Sequence, residues 1–253
     1  MLKRIWAVTY WTAVEMLRER LMYVVVMFAA LLVASSAILT PLTPGAQRKV
    51  VIDFGLASID LLGVLIILLS GSTLIRREMD RRSLDVLLTK PMTRLEYLLG
   101  KCFGLVGSLL LLISGMLALF ILIMEVTGFG FEMRYLYAIL GTVLEVLVIA
   151  SIAVLFSTFT SPTLGALFTL GLFVAGSLVE HVLQMSAGSP SAELLQRLRW
   201  LVPAVSLFNF RSEVLHGIPI SLDRVLSAVS YAALYSLTLL YAASLIFRKR
   251  DLR

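Results

Sequence analysis

Only one cysteine and two histidines occur among the 253 residues. Cys102 has no partner for an intrachain disulfide, and with His181 and His216 the sole histidines no group has metal-ligand spacing. Redox and zinc chemistry are thereby set aside. Charge is also scarce: 15% of residues are charged, against about 25% in soluble domains. No polar block is long enough to build a separate core, and no internal repeat, low-complexity tract or nucleic-acid motif is present. What remains is apolar, 59% of the chain, with mean hydropathy +0.95. The chain reads as a single all-α integral membrane domain over residues 1–253. Its net charge of +6 comes from basic residues flanking apolar runs, which suits lipid headgroups and topology rather than nucleic acid.

A bilayer core of about 30 Å needs roughly 20 helical residues, and six uncharged or nearly uncharged runs approach that length. They cover 21–39, 54–75 (interrupted by Asp60), 102–124, 135–156 (containing Glu145), a fifth from Thr163, and 225–247. "TPLTPG" is expected to stop the first, and "STFTSP" at 157–162 divides the fourth from the fifth. Fifteen of the 22 basic residues fall on the side of the termini and the loop after the second run, so both termini are expected to be cytoplasmic in a prokaryotic inner membrane.

Two further segments look interfacial. Leu2, Trp6, Tyr10, Ala13 and Leu17 recur at helical spacing, which predicts a helix lying along the membrane surface before the first span. Between the last two spans, Ser189 and Pro190 read as a helix start. Leu194, Leu195, Leu198, Leu201 and Val202 then form an apolar stripe that Pro203 ends, so 184–224 is expected to be a structured external amphipathic segment. Small residues at Gly104, Gly107, Ser108, Ser114 and Gly115 predict close helix packing.

The stretch "RREMDRRSLDVLLTKPMTRLEYLLGK", Arg76 to Lys101, carries eleven charges between two spans. As a helix it pairs Glu78 with Arg82 and Arg81 with Asp85 at four-residue spacing, while Leu84, Leu87 and Leu88 make an apolar strip. Pro91 ends that helix. Thr93 and Glu96 then form a capping box that opens the next, which runs into the third span. The pattern alone fits either a solvated positive-inside connector or a docking element for a soluble partner.

This stretch closely resembles the segment after the second span of type-2 ABC exporter permeases. Arg77, Glu78, Leu84, Leu87, Leu88, Pro91, Arg94, Glu96, Tyr97, Gly100 and Lys101 match its pattern. Arg82 stands where glycine is common and Asp85 where glutamate is. "DFGLASIDLLGVLI", "VPAVSLFNFRSEVLHGIP" and "LIFRKRDLR" are similar to a subgroup that includes permeases of copper-enzyme maturation clusters. The resemblance implies a coupling helix built from Arg77, Glu78, Asp80, Arg81, Arg82, Ser83, Leu84, Asp85, Leu87 and Leu88, which receives movement from a separate ABC ATPase subunit. It also implies that ATP and Mg sit on that partner. A six-span unit can supply only half of a central pathway, so a homodimer or a pseudo-dimer with a similar permease is expected. The residues agree that this chain binds no nucleotide: a phosphate loop needs G-x-x-x-x-G-K-[ST], and "LEYLLGKC" has Leu95 for the first glycine and Cys102 after the lysine.

Ionisable groups within spans are costly and mark candidate pathways; Glu145, near the middle of its run, and Asp60, nearer the outer surface, are the two candidates. The alternative for each is a hydrogen bond to a neighbouring helix. The ten methionines are scattered, as fits apolar filling rather than a copper path. Three rival classes are weighed. An intramembrane enzyme lacks a G-x-S-x-G elbow or a histidine at matching depth, so no catalytic residue is expected. A secondary transporter would show repeat symmetry. A membrane scaffold is not excluded by any residue. The transported cargo is not legible, since type-2 exporters carry many cargoes on one scaffold.

Overall fold

The computed structural model describes residues 2–16, 22–42, 47–71, 94–185 and 202–249. Among these there are helices and connecting turns and no strand. The helices are α1 (Leu2–Met16), α2 (Met22–Leu42), α3 (Gln47–Ser70), α4 (Arg94–Val126), α5 (Tyr135–Ser157), α6 (Pro162–Met185), α7 (Arg211–His216) and α8 (Leu222–Lys249), with a 3-10 turn at Val205–Phe208. Five of them, α3, α4, α5, α6 and α8, contain stretches long and apolar enough to cross a membrane. In α2 the apolar stretch, Tyr23–Ala34, is shorter than that.

Several boundaries differ from expectation for identifiable reasons. Helix α2 continues through Thr40, Pro41 and Leu42, because a proline in the last turn removes one hydrogen bond without blocking those before it. Helix α3 begins seven residues earlier than its apolar run, so Arg48, Lys49 and Asp53 are helical; an apolar count finds a span but not the polar turn that extends it to the surface. Helix α4 opens directly after Thr93 and runs unbroken for 33 residues, about 50 Å at 1.5 Å per residue. The turn between α5 and α6 falls where "STFTSP" places it. The proposed helix start at Ser189 and Pro190 and its leucine stripe through Leu201 lie outside the described residues, as does the whole of 76–93.

Helix α5 is the innermost element. Val148, Ile149, Ala150, Ala153 and Val154 on it are fully enclosed, and small residues at Gly141, Ala150, Ser151 and Ala153 bring neighbouring backbones near. Leucines on α3, α4, α6 and α8 (Leu61, Leu111, Leu167, Leu234) point outward, where a lipid phase would cover them. Several buried hydroxyls are satisfied within their own helices: Ser108 Oγ donates to the Leu105 carbonyl at 2.8 Å, Ser151 to Leu147 at 2.9 Å and Thr169 to Gly165 at 2.7 Å. With no water in a bilayer core, such internal bonds are what make these hydroxyls tolerable.

The bundle has two distinct ends. At one, here the near end, α1 lies across the start of α4. At the other, the far end, the α4–α5 connection meets the start of α3 and the segment 202–221. That segment comprises the 3-10 turn, α7 and a left-handed Gly217 at φ 68°. Its reversal is secured by Ile218 N–H donating to the Glu213 carbonyl at 2.9 Å, the six-to-one bond of a glycine-terminated helix.

Helix α1 also has a second face, which the periodicity does not select. Thr12 and Met16 are buried against α4, whereas Trp6, Tyr10 and Trp11 are 71%, 57% and 68% exposed. The helix has two apolar faces, and the smaller side chains face the protein because Gly100 and Gly104 leave only shallow room. A Cβ at Gly104 would stand 2.5 Å from the Thr12 Cβ, and one at Gly100 2.7 Å from the Val8 Cβ. The bulky aromatics are left for the membrane interface, where Trp and Tyr are favoured. Of the other small residues expected to pack, Gly107 faces open space and Gly115 meets only Val25 at 4.0 Å.

Candidate functional site

Asp60 and Glu145, 85 positions apart in the chain, meet inside the far half of the bundle. Glu145 is 5% exposed. The Asp60 carboxyl interacts with the side chains of Thr142 and Glu145, while its buried Oδ1 has no hydrogen-bond partner. They line a cavity of about 170 Å³ whose remaining wall includes Phe173, Ser177, Ser206, Phe208, Asn209, Phe210 and Arg211. Among the described residues, Arg211 is the positive charge acting on both carboxyls, and it also pairs with Asp53 at 3.2 Å. The cavity thus offers carboxyl, hydroxyl, amide and guanidinium groups between aromatic walls. Such a set can accept and donate hydrogen bonds to a polar solute or hold a proton or small cation.

The cavity wall is held in place by two close approaches. A Cβ on Gly141 would lie 2.1 Å from the Phe208 carbonyl oxygen, and one on Gly176 2.5 Å from that of Pro203. Only glycine lets the 203–210 strip lie directly on α5 and α6. The strip is further tied to α8, where Tyr231 Oη accepts from Ala204 N–H at 3.0 Å and Arg224 lies over the Phe210 ring at 5.6 Å. Arg224 also pairs with Glu213 at 2.6 Å.

At the near end, Gly100, Lys101 and Gly104 form the seat of α1. Glu96, Tyr97 and Lys101 are 2%, 2% and 4% exposed. Thr9 Oγ1 donates to the Gly100 carbonyl at 3.3 Å, and Lys101 Nζ stands 3.8 Å from Glu15 on α1. A buried charge is tolerable only when paired, so this end is organised around the contact between α1 and α4. Arg77, Glu78, Asp80, Arg81, Arg82, Ser83, Leu84, Asp85, Leu87 and Leu88 all lie outside the described residues; the segment that holds them leads directly into α4.

A second polar cluster caps the far end. Glu132, in the α4–α5 connection, pairs with both Arg48 and Arg134, and Arg48 also donates to Tyr135 Oη at 3.1 Å. Arg134, then Arg48, holds the Glu132 carboxyl below the usual carboxylate range by donating hydrogen bonds to its charged form.

Sequence reasoning located Asp60 and Glu145 singly but not their meeting, and it missed Thr142 and Arg211. Thr142 lies three residues before Glu145 and so on the same helix face, a signal available in the sequence. Arg211 sits in the quoted "FNFRSE" stretch, but nothing local reveals that it turns toward two carboxyls. Buried Met16, Met116 and Met124 belong to the apolar core, and no metal-binding group of His, Cys, Asp or Glu occurs among the described residues.

Helices long and apolar enough to cross a membrane, packed around a polar cavity, are the architecture of a multi-pass membrane protein. The family described as ABC-2 family transporter protein matches residues 7–252, and the chain belongs to that family. No curated protein matches the chain.

Proposed function

We propose that the chain is the membrane-spanning subunit of an ABC exporter, coupled through residues 76–101 to a separate ATPase subunit that carries ATP and Mg and does the hydrolysis. The match across residues 7–252 carries this reading. In it, the chain crosses an inner membrane six times with both termini in the cytoplasm and pairs as a homodimer or with a similar permease. The near end faces the ATPase, and the far-end cavity at Asp60 and Glu145 is part of the export route. The chain has no catalytic role of its own. Likeness of its motifs to permeases of copper-enzyme maturation clusters supports that subgroup.

The geometry of the near end supports a specific coupling path. Displacement of 76–93 is transmitted to the start of α4, where Gly100, Lys101 and Gly104 seat α1. Two helices would then shift together. Leu84, Leu87 and Leu88 are the anchors in a groove of the ATPase, because full burial of a leucine contributes about 1.5–3 kcal/mol and an exposed ion pair about 0–1 kcal/mol. Leu87→Asp or Leu88→Asp should leave the permease in the membrane, reduce the amount of ATPase that copurifies and abolish transport. Single neutralisations of Arg81 or Asp85 should have smaller, salt-sensitive effects. Normal assembly of the leucine variants would move the docking surface to the charged residues or to the 157–162 turn. If no ATPase copurifies even with the unaltered chain, the exporter reading itself fails.

A further inference from the structure

The far end carries a second cavity, of about 250 Å³, lined by Arg48, Lys49, Ile52, Arg134, Tyr135, Val214 and Leu215. Three of its residues are cations, and the described carboxylates nearby do not balance them. Glu132 alone serves both Arg48 and Arg134, Asp53 is paired with Arg211 and Glu213 with Arg224. Lys49 is exposed and makes no ion pair among the described residues. Arg134 Nη1 lies beside Gly217, 3.2 Å from where a Cβ on that residue would stand. Ile52, Val214 and Leu215 supply an apolar floor beside the cations.

We propose that this cavity binds a phosphate group, that of an anionic membrane lipid. Guanidinium and ammonium groups converging on one concavity suit a phosphate, to which arginine can donate two parallel hydrogen bonds. The apolar floor distinguishes a lipid from a free anion, since it can take the glycerol and first acyl carbons below the phosphate. The position fits as well. Arg48 and Lys49 lie in the first turn of one membrane-length helix and Tyr135 opens another, so the cavity sits at headgroup level. Basic pockets between spanning helices bind anionic headgroups on the cytoplasmic side of membranes, and the same charge complementarity operates at the other surface wherever anionic lipid is present. The proposal requires only that the bundle spans a membrane and is independent of what the chain transports.

The test is lipid retention by the purified full-length chain in detergent, followed by native mass spectrometry with phosphatidylglycerol or phosphatidylcholine added. The chain should retain the anionic lipid in preference to the zwitterionic one. Lys49→Gln should weaken phosphatidylglycerol retention roughly fivefold, the effect expected of one basic residue at an anionic lipid surface, and Arg134→Gln should do so at least as much. Lys49 is exposed and unpaired, so its loss leaves the fold intact. Glu132→Gln removes the competing carboxylate and should strengthen retention; a purely structural ion-pair cluster predicts no gain. Displacement of the lipid by excess inorganic phosphate would keep the phosphate site but assign it to a soluble phosphate ester. Equal retention of both lipids, unchanged by Lys49→Gln and by Glu132→Gln, would overturn the proposal.

Discussion

Single glycines decide where this protein's cavity wall lies. Gly141 and Gly107 are both helical glycines on membrane-length helices, yet they face opposite surroundings. At Gly141 an added Cβ would stand 2.1 Å from a backbone oxygen, whereas at Gly107 it would meet nothing within 4 Å. Gly141→Ala must therefore push the Phe208 carbonyl away from α5. Overpacking of this kind costs about 1–3 kcal/mol, and here the strain falls on backbone with little freedom to yield. Gly107→Ala removes only the entropy penalty of glycine in a helix, a gain of roughly 0.5–1 kcal/mol. Thermal unfolding in detergent should thus show a lowered midpoint for Gly141→Ala and an equal or raised one for Gly107→Ala. Matching midpoints would mean that the 203–210 strip does not rest on α5. The same residues show what sequence can and cannot disclose. "GLVGSLLLLISG" announces small residues, but whether a glycine is a contact or a gap depends on a segment a hundred positions away. Asp60 and Glu145 are legible as anomalies for the opposite reason: a carboxyl in an apolar run is conspicuous by itself, while its partner is fixed only by packing.

Among the elements, α4 and α5 were readable almost to the residue because their signals are local: a capping box at one, a polar turn at the other. Helix α1 was readable as a helix with a membrane-facing stripe, but the face that packs on α4 was not. Its stripe of Trp6 and Tyr10 is the more apolar, but burial there follows shape, since Val8, Thr9 and Thr12 are small enough to enter the groove that Gly100 and Gly104 leave on α4. The consequence is testable on the element as a whole. Gly104→Val should lift α1 from its seat, because the Thr12 Cβ and the Thr9 carbonyl oxygen already lie 2.5 and 2.9 Å from the position of a Cβ. Hydrogen exchange of residues 2–16 should then rise sharply while α5 keeps its protection. Exchange in α1 unchanged from the parent chain would show that its hold comes from the membrane or from Glu15 and Lys101, not from the glycine groove. Because α1 rests on the residues that follow the charged loop, this variant should also uncouple transport without removing the loop itself.

At the scale of the molecule, the number of crossings fixes which side each terminus occupies, and the contacts of α2 bear on it. Five stretches qualify by length and hydropathy, and the α2 stretch Tyr23–Ala34 is too short on its own. The helix nevertheless continues to Leu42, 21 residues in all, about 31 Å of rise. Its two ends are tethered to opposite ends of the bundle. Met22 follows α1 by six residues, and α1 is seated at the near end on Gly100 and Gly104. Leu42 precedes Gln47 by five, and α3 starts at the far end, where Arg48 reaches Tyr135. A five- or six-residue connection reaches at most roughly 20 Å, far less than the length of α4. Between these tethers α2 climbs alongside α4: Val25 lies level with Gly115, while Leu32 and Phe120 both meet Gly55. The proposed six-span reading requires that α2 cross with the others, which makes the number of spans even. Both termini should then lie on one side. Fusing a fluorescent protein that matures only in the cytoplasm, or a phosphatase active only outside it, to each terminus in turn should give fluorescence without phosphatase activity at both. Opposite reports from the two ends would mean five crossings and an α2 that does not span, with the charged loop on the side of the C-terminus.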